Sequence, residues 1–381
     1  MPRQKLVSAP KPSPAKPNQR TQATKALDSL GKVAARFEGF RPATDVLTEV
    51  VAVPTIFPQL NRATGVNGWP IQRIALIHGP SANGKTTLLH GLNLSFLIAG
   101  HFAGLVDAEL TTPEKWLVQL MAEHAHNKAF VAMRPRSYEE TAKATRNFAE
   151  VISKARNDGE IGPEVAGIVG VDSIRKLVPE KLLEKLEKEE GGIDGASGRA
   201  AMMRAALNAQ WLDELAPLAY HANLAIVFIA REAENPNSKP WEPEFKVGGG
   251  KALVYDSSLV ARVMLSELTK TGPKEKPHVI GEQHLVRITK SKVAGKDGKT
   301  TECFFHTSNG RESPAGFDRA RDVFELAVRL KIIEQKAASY GYMGERLGIG
   351  ELKAVQAIRE NVDLMAKLEE AFVPGEGEIV E

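Results

Sequence analysis

One short stretch of this chain carries residue types whose order suits phosphate chemistry: Gly79, Pro80, Ser81, Ala82, Asn83, Gly84, Lys85, Thr86 and Thr87. It follows the apolar run 73–78 and opens a segment that reads as a helix from Leu88. A strand ending in glycines lets backbone N–H groups wrap around phosphate oxygens, and the helix N-terminus behind them adds positive potential. Lys85 then reaches the terminal phosphates and Thr86 offers its hydroxyl to Mg²⁺. The stretch reads as a P-loop that binds a nucleoside triphosphate.

Downstream residues fit the same chemistry. Asp172 ends an apolar strand, where an acid holds Mg²⁺ through water while Thr86 ligates it directly. Glu109 follows a strand ending at Asp107; a carboxylate there orients a water for in-line attack on the γ-phosphate, or is simply an exposed acid. Trp116 offers a flat face for an adenine, or packs into the core at helical spacing.

The surrounding pattern supplies the elements that must position these groups. The runs 102–107, 129–133, 166–171 and 224–230 are short and almost continuously apolar, as strands buried on both faces of a parallel sheet are. Helical stretches at 138–156 and 198–221 lie between them, which makes a strand–helix alternation. Ligands of such sheets collect at the carboxyl ends of the strands. Beyond residue 258 longer alternating segments, 259–268, 283–293 and 301–307, are expected to extend the sheet as antiparallel strands. Helical periodicity returns over 317–331 and 352–372, around the Gly-rich aromatic stretch at Tyr340.

The composition sets outer bounds. With 381 residues, 43% hydrophobic and 25% charged, the chain can bury one large domain and a smaller one. Its single cysteine, Cys303, excludes an internal disulfide, fits a reducing compartment and reads as packing. The nine histidines lack paired ligand spacing, and no segment reads as membrane-spanning or secretory. The net charge is only +3, yet Arg3, Lys5, Lys11, Lys16, Arg20 and Lys25 crowd the first thirty residues against Asp28, among prolines. Residues 1–23 therefore read as a disordered basic arm, which either grazes nucleic acid phosphates or merely solubilises the chain. Residues 24–37 repeat apolar positions at helical spacing, a helix that folds back on its own domain or docks on a neighbouring subunit.

The order of motifs resembles the RecA-type DNA strand-exchange recombinases. The resemblance rests on Gly-Pro-x-x-x-Gly-Lys-Thr-Thr at 79–87, Val-Asp-Ala-Glu at 106–109, Val-Asp-Ser ending at Ser173, Ala-Ala-Met-Met at 200–203, Val-Phe-Ile at 227–229 and Gly-Gly-x-Ala-Leu at 249–253. It continues through Ile288-Thr-Lys-Ser-Lys292 and into Ser339-Tyr-Gly-Tyr-Met-Gly-Glu345, covering about residues 25–373. It implies an α/β fold: a RecA-like P-loop NTPase core with a mostly parallel central sheet, an N-terminal helix and a small α-rich C-terminal domain. The expected divisions are an arm at 1–23, a helix and oligomerisation segment at 24–65, a core at 66–312, a C-terminal domain at 315–373 and an acidic tail at 374–381.

The resemblance also implies roles. Lys85, Thr86, Asp172 and Glu109 fall on phosphate, magnesium and water-activating positions, with Ser173 beside them, and Trp116 falls where an aromatic stacks on adenine. Lys290 and Lys292, two apart on a strand and so on one face, resemble a pair that reaches the ATP of the adjacent subunit; otherwise they are solvated charge. ATP and Mg²⁺ are the implied cofactors. The implied partners are single-stranded DNA, double-stranded DNA and further copies of the chain in a helical filament, in the cytoplasm of a bacterial or phage-infected cell.

Two loops are expected to contact DNA. The first, 191–199, is Gly-rich and leads into a helix bearing Arg199 and Arg204. The second, 231–250, reads as a long structureless loop holding Lys239, Trp241, Phe245 and Lys246, with Lys251 just beyond it. Aromatic faces beside lysines suit single-stranded DNA; a lid without DNA contact is the plainer reading. Where the family commonly has a glutamine that senses the γ-phosphate, this chain has Arg231. A ring-shaped motor ATPase and a DNA-binding filament scaffold without strand exchange are the rival readings.

Overall fold

A computed structural model of the chain describes Lys32 and residues 50–372, except 175–177, 181–195, 236–237, 240–244, 274 and 295–299; over 196–205 it describes backbone alone. The basic arm, the acidic tail and, but for Lys32, the helix expected at 24–37 lie outside these residues. The described elements begin with β1 (Ala52–Val53), α1 (Pro58–Thr64), β2 (Trp69–Pro70) and β3 (Arg73–Gly79). There follow α2 (Lys85–Ile98), β4 (Phe102–Asp107), α3 (Glu114–Met121), β5 (Phe130–Met133), α4 (Tyr138–Asn157) and β6 (Gly167–Asp172). Next come α5 (Ala196–His221), β7 (Leu224–Glu234), β8 (Phe245–Val247), α6 (Lys251–Asp256), β9 (Leu259–Thr271), β10 (His278–Ser291), β11 (Thr301–Ser308) and β12 (Gly316–Phe317).

These strands build a ten-stranded sheet in the order β12-β11-β10-β9-β3-β7-β6-β4-β5, with β8 on β7. The short apolar runs read from the sequence form its parallel part. Residues alternate across it. On β3, Ala75 and Ile77 enter one core layer with α2, while Ile74 and Leu76 enter the other with Trp211, Leu212 and Leu215 of α5. Burial on both faces is why β4, β6 and the stretch 224–230 of β7 are almost wholly apolar, whereas β5, expected to be buried likewise, is the edge strand and leaves Val131 and Met133 exposed. Gly170 of β6 has a packing reason, since a Cβ there would lie 2.4 Å from Leu89 of α2.

Three expectations change in the folded chain. β9 pairs parallel with β3, and only β10, β11 and β12 continue antiparallel, because the chain crosses over through α6 before it re-enters the sheet. The loop expected at 231–250 is not structureless: β7 runs on to Glu234 and pairs antiparallel with β8, Glu232 opposite Val247. The two short stretches satisfy each other's backbone groups, with Ala233 opposite Lys246 and Glu234 opposite Phe245. The helix expected over 352–372 is two helices, α8 (Glu351–Glu360) and α9 (Val362–Glu370), divided at Asn361, whose side chain accepts from Leu364 N at 2.9 Å and caps the second.

After α7 (Arg319–Arg329), a three-stranded antiparallel sheet of β13 (Glu334–Lys336), β14 (Ser339–Tyr342) and β15 (Glu345–Ile349) occupies the Gly-rich aromatic stretch. Val323, Phe324, Ala354, Val355, Ile358 and Leu368 form a hydrophobic cluster of their own. Helix α1 joins this segment to the large sheet. Gln59 Oε1 accepts from Phe304 N on β11 (3.1 Å) and from Arg329 on α7 (3.0 Å), and Arg62 donates to Phe372 O (2.9 Å). Just before α1, Phe57 is 1% exposed and sits between Phe305 (5.1 Å between ring centres) and Phe317 (5.3 Å). Phe57→Ala is expected to cost about 3–5 kcal/mol, the range for truncating a fully enclosed aromatic, measured as a lowered urea midpoint with an unchanged slope.

Candidate nucleotide-binding site

The phosphate-binding loop is shaped by the strands behind it. Gly79, at φ 151°, would bring a Cβ to 2.2 Å from Val263 O on β9. Gly84, at φ 91°, would bring one to 2.5 Å from the His284 ring on β10. Both positions exclude a side chain. Asn83 Oδ1 accepts from Leu265 N at 2.8 Å, fastening the loop to β9. The loop then opens α2 at Lys85, and the amides of that first turn face the same space.

A cavity of about 350 Å³ lies over this loop, lined by residues 81–87, Glu109, Trp116, Asp172, Ile229, Arg231 and Glu282. Lys85 is 7% exposed and its Nζ donates to Pro80 O at 2.5 Å. Burial lowers its ammonium from the ordinary value, Asp172 pulling it back up and Arg231 pushing it further down. Thr86 Oγ1 donates to Asp172 Oδ2 at 2.5 Å. Burial, with Glu109 and Asp107 close by, raises Asp172 to about 6 against the opposing hydrogen bond from Thr86. A hydroxyl and a carboxylate side by side at the mouth of a phosphate-binding loop form the all-oxygen donor set that Mg²⁺ requires.

Strand register brings the next groups together. Asp107 of β4 lies level with Asp172 of β6, and Gly79 of β3 level with Arg231 of β7. Glu109 N donates to Asp172 O at 3.0 Å. Its carboxylate is gripped from two sides: Ser173 Oγ donates to Oε1 (2.6 Å) and an Arg231 Nη to Oε2 (2.6 Å). Trp116, half-buried in the first turn of α3, lines the cavity and meets the edge of the His90 ring 5.2 Å away. Burial lowers His90 to about 4, so it stands neutral behind Trp116.

Other expected residues stand elsewhere. Lys290 donates to the carbonyls of Val254 (2.7 Å) and Tyr255 (2.6 Å) and Lys292 to that of Tyr255 (3.1 Å), so the pair caps the C-terminus of α6 and does not line this cavity. Lys239, Lys246 and Lys251 are exposed. Phe245 lies half-buried under the Arg262 guanidinium, 4.1 Å from its ring centre. Trp241 lies outside the described residues; the backbone at Arg199 and Arg204 is helical, and α5 already begins at Ala196.

Sequence reading missed the network beneath the second loop. Glu232 accepts from both arms of Arg262 (2.7 and 2.9 Å) and bonds the His78 ring at 2.8 Å. Burial opposes its charge, yet the His78 and Arg262 hydrogen bonds outweigh that and hold Glu232 near 2. These three residues sit on three neighbouring strands, and nothing in their sequence spacing announces it. Glu282, on the cavity wall, was equally silent; its strand was legible but the side it faces was not.

The comparisons decide the family. A model of the RecA N-terminal domain matches residues 29–306 and one of the RecA C-terminal domain matches residues 321–373. The chain belongs to the RecA family. It is 28% identical over 374 residues to Protein RecA of Chloroherpeton thalassium, covering 98% of this chain and 92% of that one. It is also 26% identical over 357 residues to Protein RecA of Salinispora tropica, covering 94% and 92%. To Protein RecA of Xylella fastidiosa strain M12 it is 26% identical over 374 residues, covering 94% and 95%. The RecA family is one of DNA recombination and repair whose members bind ATP and DNA. Among the described residues no helix is long and apolar enough to cross a membrane.

The raised Asp172 gives a stability test of the RecA-family site. Its folded value of about 6 lies above the ordinary 3.8, so its charge opposes folding above pH 6, and the cost disappears once both states are protonated below that ordinary value. Asp172→Asn is expected to stabilise the nucleotide-free protein at pH 7.5 by up to roughly 3 kcal/mol. By pH 5 the gain should shrink by about half. Urea unfolding at the two pH values measures both figures.

Proposed function

We propose that this chain is an ATP-dependent recombinase that assembles as a helical filament on single-stranded DNA and pairs it with homologous duplex. The observation that carries the reading is topological. β3, which ends in the phosphate-binding loop, is followed in the sheet by β7 and then β6; of the two segments expected to touch DNA, 231–250 begins on β7 level with Gly79, and 191–199 follows β6 in chain order. A DNA strand held by those segments would lie over the same edge of the sheet as the nucleotide.

Each residue has a part. Backbone amides of residues 81–87 cradle the phosphates and Lys85 leaves Pro80 O for the terminal ones. Thr86 and Asp172 hold Mg²⁺, which neutralises charge on the phosphates when bound. Glu109 orients the attacking water, Ser173 fixes its carboxylate, and Trp116 carries the adenine. Lys246 and Lys251 contact DNA phosphates beside the second loop, together with Lys239, Arg199 and Arg204; Trp241 and Phe245 supply stacking faces. Lys290 and Lys292, seated on the last carbonyls of α6 in the single chain, leave them for the ATP of an adjacent copy in the filament, so hydrolysis waits on assembly. The segment 24–37 clips one copy to the next, and residues 315–373 act as a C-terminal domain. The protein works in the cytoplasm.

Hydrolysis measured with and without single-stranded DNA, with electron microscopy of the same samples, tests this reading. DNA-stimulated hydrolysis by helical filaments is expected; closed rings with DNA-independent turnover would point to a motor ATPase instead. Lys85→Ala is expected to abolish nucleotide-dependent assembly on DNA. Lys290→Ala combined with Lys292→Ala is expected to keep ATP binding and lose DNA stimulation, read as a kcat at the DNA-free level.

A further inference from the structure

Three acids line the nucleotide cavity, and two of them have a cation to answer: Glu109 pairs with Arg231 at 2.6 Å, and Asp172 lies in the field of Lys85. Glu282 is placed differently. Its side chain is 48% exposed, and among the described residues no lysine or arginine pairs with it. Beside it stands the His284 ring, 2% exposed, whose Nε2 lies 3.2 Å from Glu282 Oε2 without a well-aligned hydrogen bond and whose Nδ1 lies 3.3 Å from Asn83 O. That ring is immobilised by its surroundings: it stacks on Phe305 with ring centres 4.6 Å apart and packs against Gly84. The Glu282 carboxylate thus rests on a fixed support through one oxygen, while the other has no hydrogen-bond donor among the described residues. β10 runs antiparallel to β9 and β9 parallel to β3, so the step from His284 to Glu282 leads outward past the end of β3. Two strand residues carry it about 7 Å beyond the ring that touches the phosphate-binding loop.

We infer that Glu282 reads the base of the bound nucleotide by accepting a hydrogen bond from the exocyclic amine of adenine. The inference rests on the reading of this cavity as an ATP site in which Trp116 carries the base. An unpaired carboxylate repels phosphate, so its place in the site is at the uncharged end of the ligand, and a carboxylate only accepts hydrogen bonds. Trp116 and Glu282 line one cavity, the first offering a face that takes any base and the second an acceptor that does not. A few fixed polar groups of this kind give an otherwise tolerant pocket its selectivity. A base with a carbonyl oxygen where adenine has its amine sets oxygen against oxygen and leaves both unsatisfied, which is the circumstance in which a site discriminates strongly.

Calorimetric titration of the full chain with ADP, with inosine diphosphate and with 2′-deoxy-ADP, each with Mg²⁺, tests this. The first two share sugar and phosphates and differ only in the base, where inosine carries a carbonyl in place of the amine. The unaltered protein is expected to hold ADP roughly 10- to 100-fold more tightly than inosine diphosphate, the worth of one hydrogen bond to a charged group. Glu282→Gln is expected to remove most of that preference by tightening inosine diphosphate, because an amide donates as well as accepts. Glu282→Ala is expected to remove it by weakening ADP. In both variants the ratio of ADP to 2′-deoxy-ADP should stay as it is in the unaltered protein. A base preference that survives both substitutions overturns the inference, and so does a change confined to the 2′-deoxy-ADP ratio, which would put the carboxylate on the ribose. Equal binding of ADP and inosine diphosphate by the unaltered protein overturns it while leaving the nucleotide site intact. Failure to bind any of the three overturns the inference and the ATP reading together.

Discussion

The register of the parallel strands around β3 is the constraint on which the site depends. Because Gly79 stands beside Arg231 on β7, and the ends of β4 and β6 stand level at Asp107 and Asp172, the residues at and just past these positions converge over the phosphate-binding loop. Slippage of one strand by a single residue would turn its side chains to the opposite face. The register is held by burial on both faces: Ile74 and Leu76 fit one layer while Ala75 and Ile77 fit the other, and neither set tolerates exchange. The antiparallel part of the sheet serves the same end. β9 and β10 stand behind the loop and fix Gly79, Asn83 and Gly84 from the rear.

Charge in this site is arranged against stability. Asp172 and Lys85 are both buried and both shifted toward their neutral forms, which is the expected direction for ions withdrawn from water. In the proposed ATP site a phosphate and a cation would complete the balance on binding. Glu232 is the counterexample. Its carboxylate is equally enclosed, yet His78 and Arg262 satisfy it fully and hold it ionised. One carboxylate is left short of partners for its charge, the other is tied to β3 and β9 at the base of the second loop.

The segment beyond residue 318 is braced by a second buried ionic group. His306 of β11 bonds Asp322 at 2.7 Å and Glu325 at 3.1 Å, both on α7, and these two carboxylates raise the imidazole to about 9 although burial opposes it. The neighbouring Phe305 stacks on His284, which lies against Asn83 of the phosphate-binding loop. Packing is therefore continuous from α7 to the loop.

The sequence by itself determined the elements and the chemistry of single positions. Continuous apolar runs marked the central strands to within a few residues, and the order of Gly79, Lys85, Thr86 and Asp172 marked the groups that the fold gathers at one cavity, because strand burial and loop geometry both act over short stretches of chain. Folding decided what lies next to what. It turned the supposed open loop after Arg231 into the stem of a β7–β8 hairpin, made β9 parallel, gathered His78, Glu232 and Arg262 into one network, seated Lys290 and Lys292 on α6, and closed Arg231 on Glu109. Apart from the hairpin, whose pairs lie 11 to 15 positions apart, these contacts join residues 30 or more positions apart, and their partners are set by strand order and register. Local periodicity carries no record of that order, which is why the composition of the site was legible and its wiring was not.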